Sequence, residues 1–315
     1  MKHEKVVIAG GSGFLGRSLS KWLIEKGYEV CVLSRGAGKS PEIRRVLWDA
    51  RNLGDWVGEL DGAKALVNLT GRWVNCRYTK KNRRDIMESR TLSTRILGEG
   101  LNLVNKPPEV WLNSSTATIY LHRFDKANDE EKGIIGSHRD AKDKFSVDVA
   151  ESWEKEFNAV ICPSTRKITM RTSFIFGPEP GGAYETFRKL VLLRLGGKMG
   201  HGRQFVSWMH SDDFCKSIEW LINNERATGV YNLCSANPLT NGEMMAGIRN
   251  VLGVGYGFSP SRWLLELGAF FLRTETELII KSRYVYPKRL LEEGFVFDHP
   301  DFEAAIRDIE RSIIR

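Results

Sequence analysis

The sequence predicts an α/β fold, a doubly wound parallel sheet with helices on both faces, followed by a smaller C-terminal lobe. Three observations carry this. Short apolar runs alternate with helical periodicity through the first half of the chain. The first run ends in a glycine cluster at which a helix pattern begins. Past about residue 177 the alternation gives way to mixed glycine, proline and aromatic residues. Repeated strand–helix alternation calls for parallel strands with covering helices, and right-handed crossovers leave the doubly wound sheet as the economical topology.

Val6-Val7-Ile8-Ala9 is apolar at every position and reads as a strand buried on both faces. Leu15 to Lys26 has helical spacing: Leu15, Leu19, Trp22 and Leu23 share a face, and Gly27 stops the helix. Tyr28 to Leu33 is a second strand, Val46-Leu47-Trp48 a weaker third, Ala65-Leu66-Val67 a fourth and Val110-Trp111-Leu112 a fifth. Lys80 to Leu103 is a long helix with charges on its outer side. Asp140 to Phe157 reads as a helix and Arg166 to Phe174 as a sixth strand. Pro178-Glu179-Pro180-Gly181-Gly182 is a turn-rich break. The expected division is residues 1–177 as the nucleotide-binding domain, with segments from about 205–235 returning to it, and 178–315 as the substrate lobe.

The totals narrow the function. The chain has 315 residues, 42% of them hydrophobic and 27% charged, which suits a globular protein with a sizeable core. The net charge is +8, but the cations are scattered, and Lys80-Lys81-Asn82-Arg83-Arg84 reads as a solvated helix face rather than a nucleic-acid patch. Five cysteines without a CxxC pair argue against a disulfide scaffold and a structural zinc site, so no metal is expected and reduced thiols in a cytoplasm fit. The N-terminus shows no signal segment, and the stretch Trp263 to Leu272 is too short for a membrane span. The sequence assigns no oligomeric state.

Gly10-Gly11-Ser12-Gly13-Phe14-Leu15-Gly16 carries the chemistry, as a GxxGxxG between buried strand and amphipathic helix. Gly10 permits the tight turn, Gly13 lets the backbone approach a pyrophosphate and Gly16 allows close packing. The helix start then offers free amides and partial positive charge to phosphates, the hallmark of a Rossmann dinucleotide site. Gly36-Ala37-Gly38-Lys39-Ser40 resembles the end of a P-loop, but the required earlier glycine position is Leu33, which rejects an NTPase. An NAD site places a carboxylate at the end of the second strand to hold the ribose 2′-OH. Here the strand ends Leu33-Ser34-Arg35, and Arg35 with Ser34 suits a 2′-phosphate, so the expected cofactor is NADP.

Several pieces recur together in one known family: Gly10–Gly16, Leu33-Ser34-Arg35, Asn68-Leu69-Thr70-Gly71, Glu88-Ser89-Arg90, Arg171-Thr172-Ser173-Phe174-Ile175-Phe176-Gly177, Gly202 through His210, and Leu290-Leu291-Glu292-Glu293-Gly294-Phe295. In this combination the chain resembles the atypical short-chain dehydrogenase/reductases known as epimerase-family or nucleoside-diphosphate-sugar-epimerase-like proteins, including a short C-terminal segment from about Pro260. The resemblance implies cofactor contacts from Gly10, Ser12, Gly13, Phe14, Leu15, Gly16, Ser34 and Arg35, with Leu69, Thr70 and Gly71 along the adenosine and pyrophosphate. Asp49 would reach the adenine amine, Arg90 and more weakly Asp85 would face the cofactor, and Ile175 would pack near the nicotinamide. Leu69 and Ile175 also suit plain core, and Arg90 suits a surface ion pair with Glu88 or Asp85.

The wider superfamily uses Tyr-x-x-x-Lys for proton transfer, with Ser or Thr on the fifth strand. Thr116 stands in the hydroxyl position, but the helix reads Phe145-Ser146-Val147-Asp148-Val149, and neither Phe145 nor Val149 moves a proton. Tyr120 is the nearby alternative, with His122 and Glu130-Glu131 behind it; it equally suits ordinary packing. The substrate side is expected at Arg203, Gln204, Trp208 and His210, with Arg203 gripping an anionic group and His210 with Asp212-Asp213 better suited to bracing the next helix. Two readings follow. One is an NADP-dependent oxidoreductase or epimerase-type enzyme on an unidentified small polar, nucleotide-linked substrate. The other is a non-catalytic NADP-binding sensor.

Overall fold

The structure is a computed structural model that describes residues 4–36, 43–271 and 275–314. Residues 37–40 of the second glycine-rich stretch, Leu272 and the first three residues lie outside the described residues.

The chain runs β1 (Lys5–Ala9), α1 (Phe14–Glu25), β2 (Glu29–Ser34), β3 (Arg44–Leu47), β4 (Ala65–Asn68), α2 (Lys80–Leu101), β5 (Val110–Thr116), α3 (Lys144–Ala159), β6 (Arg166–Thr172) and β7 (Phe174–Phe176). Then come α4 (Ala183–Leu192), β8 (Phe205–Val206), β9 (Trp208–His210), α5 (Ser211–Asn223), β10 (Gly229–Leu233), β11 (Leu239–Thr240), α6 (Asn241–Val251), α7 (Arg262–Phe271), α8 (Glu277–Ile280), α9 (Lys288–Glu292) and α10 (Phe302–Ile314). Seven strands form one sheet in the order β10-β6-β5-β4-β1-β2-β3, every pair parallel. The order reverses between β1 and β4, which opens a crevice at their carboxyl ends.

Both faces of the sheet are covered. In β1, Val6 and Ile8 pack with α1 and α5, through Leu19, Leu23, Phe214 and Ile218. Val7 and Ala9 pack on the other face with Leu97 of α2 and Phe157 of α3. Val6, Val7, Ile8 and Ala9 are all buried, so the strand reads as an unbroken apolar run instead of an alternation. A further core gathers where α4, α6 and α10 meet through Tyr184, Val191, Met245, Ile306 and Ile309, with Phe176 of β7 and Trp208 of β9 in the same cluster.

Two expected elements differ. The sixth strand ends at Thr172, because Ser173 turns its backbone N–H to Leu233 O and β7 leaves the sheet to pair with β9. The helix expected from Asp140 starts at Lys144; a 3-10 turn over Arg139–Ala141 and the left-handed Lys142 (φ 55°) come before it.

Candidate functional site

A cleft of about 710 Å³ opens at the carboxyl ends of β1, β2, β3 and β4. Pockets of this size suit a large organic ligand. Its floor is the loop from β1 to α1. Gly10 has a left-handed φ of 79°, and a Cβ there would stand 2.9 Å from the Thr70 backbone. Only glycine permits that approach of two loops. Gly13 is the N-cap of α1 and no side chain caps it, so the first amides of the helix remain available to a ligand. A Cβ on Gly13 would meet nothing closer than Gly10 O at 3.9 Å. At Gly16 a Cβ would lie 2.3 Å from Gly11 Cα, so this glycine packs the helix onto the loop itself. Gly10, Ser12 and Gly13 line the cleft, which is the fit a diphosphate requires, whereas Gly16, expected as a contact, is buried behind the loop.

The walls come from three strand ends. Ser34 and Arg35 line the cleft after β2; Ser34 Oγ donates to Gly36 O at 2.9 Å, and Arg35 is exposed. After β3, Asp49 lines it with both oxygens engaged. It accepts from Arg51 N at 2.8 Å, Asn52 N at 2.9 Å and Asn52 Nδ2 at 2.6 Å, and these bonds, the Asn52 side chain first, hold its pKa below the usual carboxylate range. Arg51 also lines the cleft, paired with Glu88 at 3.1 Å; the sequence reading missed it, though it follows Asp49 by two residues. Leu69, Thr70 and Gly71 form the wall after β4. Beneath them the buried Asn68 accepts from Thr70 N at 3.0 Å and donates to Asn113 Oδ1 at 2.7 Å, which fixes this wall from inside the sheet.

Other expected contacts fall elsewhere. Asp85 lines the cleft, but as the partner of Arg72 at 2.6 Å. Arg90 stands behind Gly71, where its guanidinium donates to Arg72 O and Ile86 O and lies over the Trp153 ring. Burial pulls its pKa down to about 10, and it pairs with neither Glu88 nor Asp85 in the recorded ion pairs. Phe14 turns its ring toward Gly177 and Gly182, and Leu15 packs on the core, so neither lines the cleft. Ile175 is buried in β7 opposite Met209 and is core.

The catalytic and substrate expectations need correction. Thr116 closes β5 and its side chain accepts from Thr118 N at 3.1 Å, so it caps the next turn. Tyr120 is 1% exposed; its hydroxyl donates to Asn232 Oδ1 at 3.0 Å and accepts from Arg171 Nη1 at 2.9 Å. Burial pushes its pKa up to about 12, and a fully bonded, enclosed phenol has no access to substrate. Gln204 and Trp208 are also enclosed, bonded to Met199 O and Asn237 O. His210 is buried and accepts from Asp212 N at 3.1 Å, so it caps α5, the bracing role expected of it, and does not face a substrate. Of this set Arg203 alone is exposed. His210, His299 and Asp308 bring potential ligand atoms within 4.8 Å of one another. With Nδ1 accepting the Asp212 amide, however, Nε2 of a neutral His210 carries the ring proton and has no lone pair for a metal.

The smaller lobe is tied to the cleft. Arg17 donates to Ser12 O at 2.9 Å and to Pro180 O at 2.6 Å, joining the glycine loop to the turn that begins the lobe. Among the described residues no helix is long and apolar enough to cross a membrane.

Residues 6–234 match the model of the NAD dependent epimerase/dehydratase family, and residues 261–309 match a domain of unknown function, DUF1731. The epimerase family protein SSP1921 of Staphylococcus saprophyticus is 27% identical, over 98% of this chain and 99% of that protein. The human epimerase family protein SDR39U1 is 26% identical, over 97% and 99%. A crystal structure of that human protein (isoform 2) with NADPH superposes with a TM-score of 0.85 at 24% identity, covering 98% of this chain and 99% of the other.

Proposed function

The chain belongs to the NAD dependent epimerase/dehydratase family, and from that premise we propose that it binds NADP in the cleft at the β1/β4 switch point and acts as an oxidoreductase or epimerase-type enzyme. The observation that carries this reading is the chemistry of the cleft wall. Gly10, Ser12 and Gly13 line the cleft where a diphosphate would lie, beside the uncapped start of α1, while the end of β2 offers Ser34 and Arg35 and no carboxylate. A carboxylate there would repel a 2′-phosphate; a guanidinium grips it with charge-assisted hydrogen bonds. The crystallised human relative with NADPH supports the same choice.

When bound, the nicotinamide supplies or accepts a hydride. The protein's share is binding and orientation. Gly13 and its neighbours hold the diphosphate, Arg35 with Arg51 flanks the adenosine end, and Asn68 keeps the Leu69–Gly71 wall in place. Residues 178–315 supply the substrate lobe, with the exposed Arg203 suited to an anionic, nucleotide-linked group. A non-catalytic NADP-binding module is favoured by one observation, that Phe145 and Val149 occupy the tyrosine and lysine positions.

Calorimetry with NADPH and NADH in parallel tests the assignment. NADPH binds more tightly, and Arg35→Ala weakens NADPH by about ten- to a hundredfold, the worth of a charged hydrogen bond, while leaving NADH unchanged. Equal affinities, both untouched by the substitution, remove NADP from the account.

A further inference from the structure

Large apolar side chains stand in water where three segments of the chain meet. The turn after α4 carries Leu193 and Leu195, the segment before α7 carries Tyr256 and Phe258, and α7 itself carries Trp263 and Leu267. All six are exposed, Leu193 at 69% and Trp263 at 68% of their full surface. The backbone lays the first two segments side by side. Phe258 N donates to Arg194 O at 2.7 Å, Gly197 N to Phe258 O at 3.0 Å and Gly200 N to Pro260 O at 3.0 Å. The helix α7 begins directly after this ribbon. Its Leu265 packs inward against the core beneath, while Trp263 and Leu267, four residues apart, share the outward face.

The same surface is basic. Residues 192–203 hold Arg194, Lys198 and Arg203 and no carboxylate, and residues 251–265 hold Arg262 and no carboxylate. Arg194 and Lys198 are exposed, and neither takes part in an ion pair recorded among the described residues; Lys189, a little earlier on α4, does pair, with Glu185. The carboxylate on α7, Glu266, is already engaged by Lys142 at 2.8 Å and Arg262 at 3.6 Å. Free positive charge therefore lies beside the apolar groups.

A cluster of large apolar side chains left in water marks an interaction surface, and its chemistry selects the occupant. A second copy related by a two-fold axis would bring the same positive field to both sides of the contact. A partner helix docks into a groove, whereas these side chains project from three neighbouring segments. Tryptophan, tyrosine and leucine beside unpaired cations suit a bilayer surface. The rings settle at the depth of the headgroups and the cations meet lipid phosphate and carboxylate.

We propose that this face is a peripheral docking surface for an anionic phospholipid bilayer, with Trp263 and Leu193 entering the headgroup layer and Arg194 and Lys198 holding the anionic headgroups. The contact is superficial, in keeping with the absence among the described residues of a helix long and apolar enough to cross a membrane. None of the residues named lines the cofactor cleft, so the inference stands apart from the coenzyme reading.

The test floats the whole chain through a density gradient with vesicles of phosphatidylcholine alone and of phosphatidylcholine mixed with phosphatidylserine. The chain rises with the mixed vesicles, stays behind with the neutral ones, and is released as salt is added. Arg194→Gln and Lys198→Gln each weaken the partition by about fivefold, the worth of one basic side chain near an anionic surface. Trp263→Ser weakens it by about tenfold, for one large ring withdrawn from the interface. All three melt near the temperature of the parent, because the side chains removed lie in solvent. Equal flotation with both kinds of vesicle, no flotation, or flotation indifferent to these substitutions overturns the proposal. Capture by polyglutamate as tight as capture by the mixed vesicles overturns it in favour of an acidic polypeptide. Self-association in analytical ultracentrifugation that Trp263→Ser abolishes overturns it in favour of a second copy of the chain.

Discussion

The cofactor cleft and the seam under the C-terminal segment are built from opposite materials. The cleft is made of main chain. Gly10, Gly13 and Gly16 withdraw their side chains so that amides and loops approach one another, and most of its walls are open to solvent. The seam is made of side chains that solvent does not reach. Lys281, with its side chain fully buried, pairs with Asp143 at 2.5 Å and donates to Thr118 O at 2.6 Å. Arg283 donates to Thr118 Oγ1 at 3.0 Å, and Ser282 N donates to His122 Nδ1 at 2.7 Å. Farther along, His210 stacks on His299 with centroids 3.9 Å apart. A surface of amides tolerates change unless bulk enters it. A buried ionic seam tolerates change only when both partners go together.

The largest effect should appear in the seam. Lys281→Met strands the Asp143 carboxylate in a site without water, and the stability lost in denaturant titration is about 3–5 kcal/mol. Removing the charge of Asp143 as well recovers much of it; a single substitution that leaves the denaturation midpoint unmoved would break the contrast drawn here. The cleft gives the next effect, and it is one of binding without folding. Because a side chain on Gly13 meets open space, Gly13→Trp leaves the melting temperature near that of the parent. It weakens NADPH by about a hundredfold, about 2.7 kcal/mol, in calorimetry. Loss of folding in this variant would erase the distinction between the regions.

Per unit of pH, the smallest effect is a pH dependence. Burial, with His299 beside it, pulls the His210 pKa down to about 3. The unfolded chain binds a proton there near pH 6.5, at the unperturbed value. Between those two values the unfolded state holds more protons, so stability falls as the pH falls, by about 1.4 kcal/mol per unit. His210→Asn keeps a side chain able to cap α5 and removes this slope. Urea titrations of both proteins from pH 6.5 down to 4 measure it; parallel curves would show that the histidine is not responsible.

The same contrast explains what could be read from the sequence. Apolar runs and glycine spacing determine backbone geometry locally, so the parallel sheet and the residues lining the cleft after β1, β2 and β4 were legible. Side-chain partnerships between distant segments leave no local pattern. Gln204 and Trp208 sit in a motif, and nothing in the sequence says that their side chains turn inward; for Ile175 and His210 the core and bracing readings stood beside the site readings. Tyr120 was chosen for its nearness in sequence to β5, while the Arg171 and Asn232 that engage its hydroxyl lie far along the chain. Arg90 read as a cofactor contact through the resemblance; that its guanidinium stands behind Gly71 and over the Trp153 ring is a meeting of distant segments.

The double grip of Arg17 makes the phosphate loop and the first turn of the smaller lobe one mechanical unit. Its two carbonyl partners, Ser12 and Pro180, lie far apart along the chain, yet a single planar guanidinium sets their spacing. A change at Arg17 is therefore felt at both carbonyls at once.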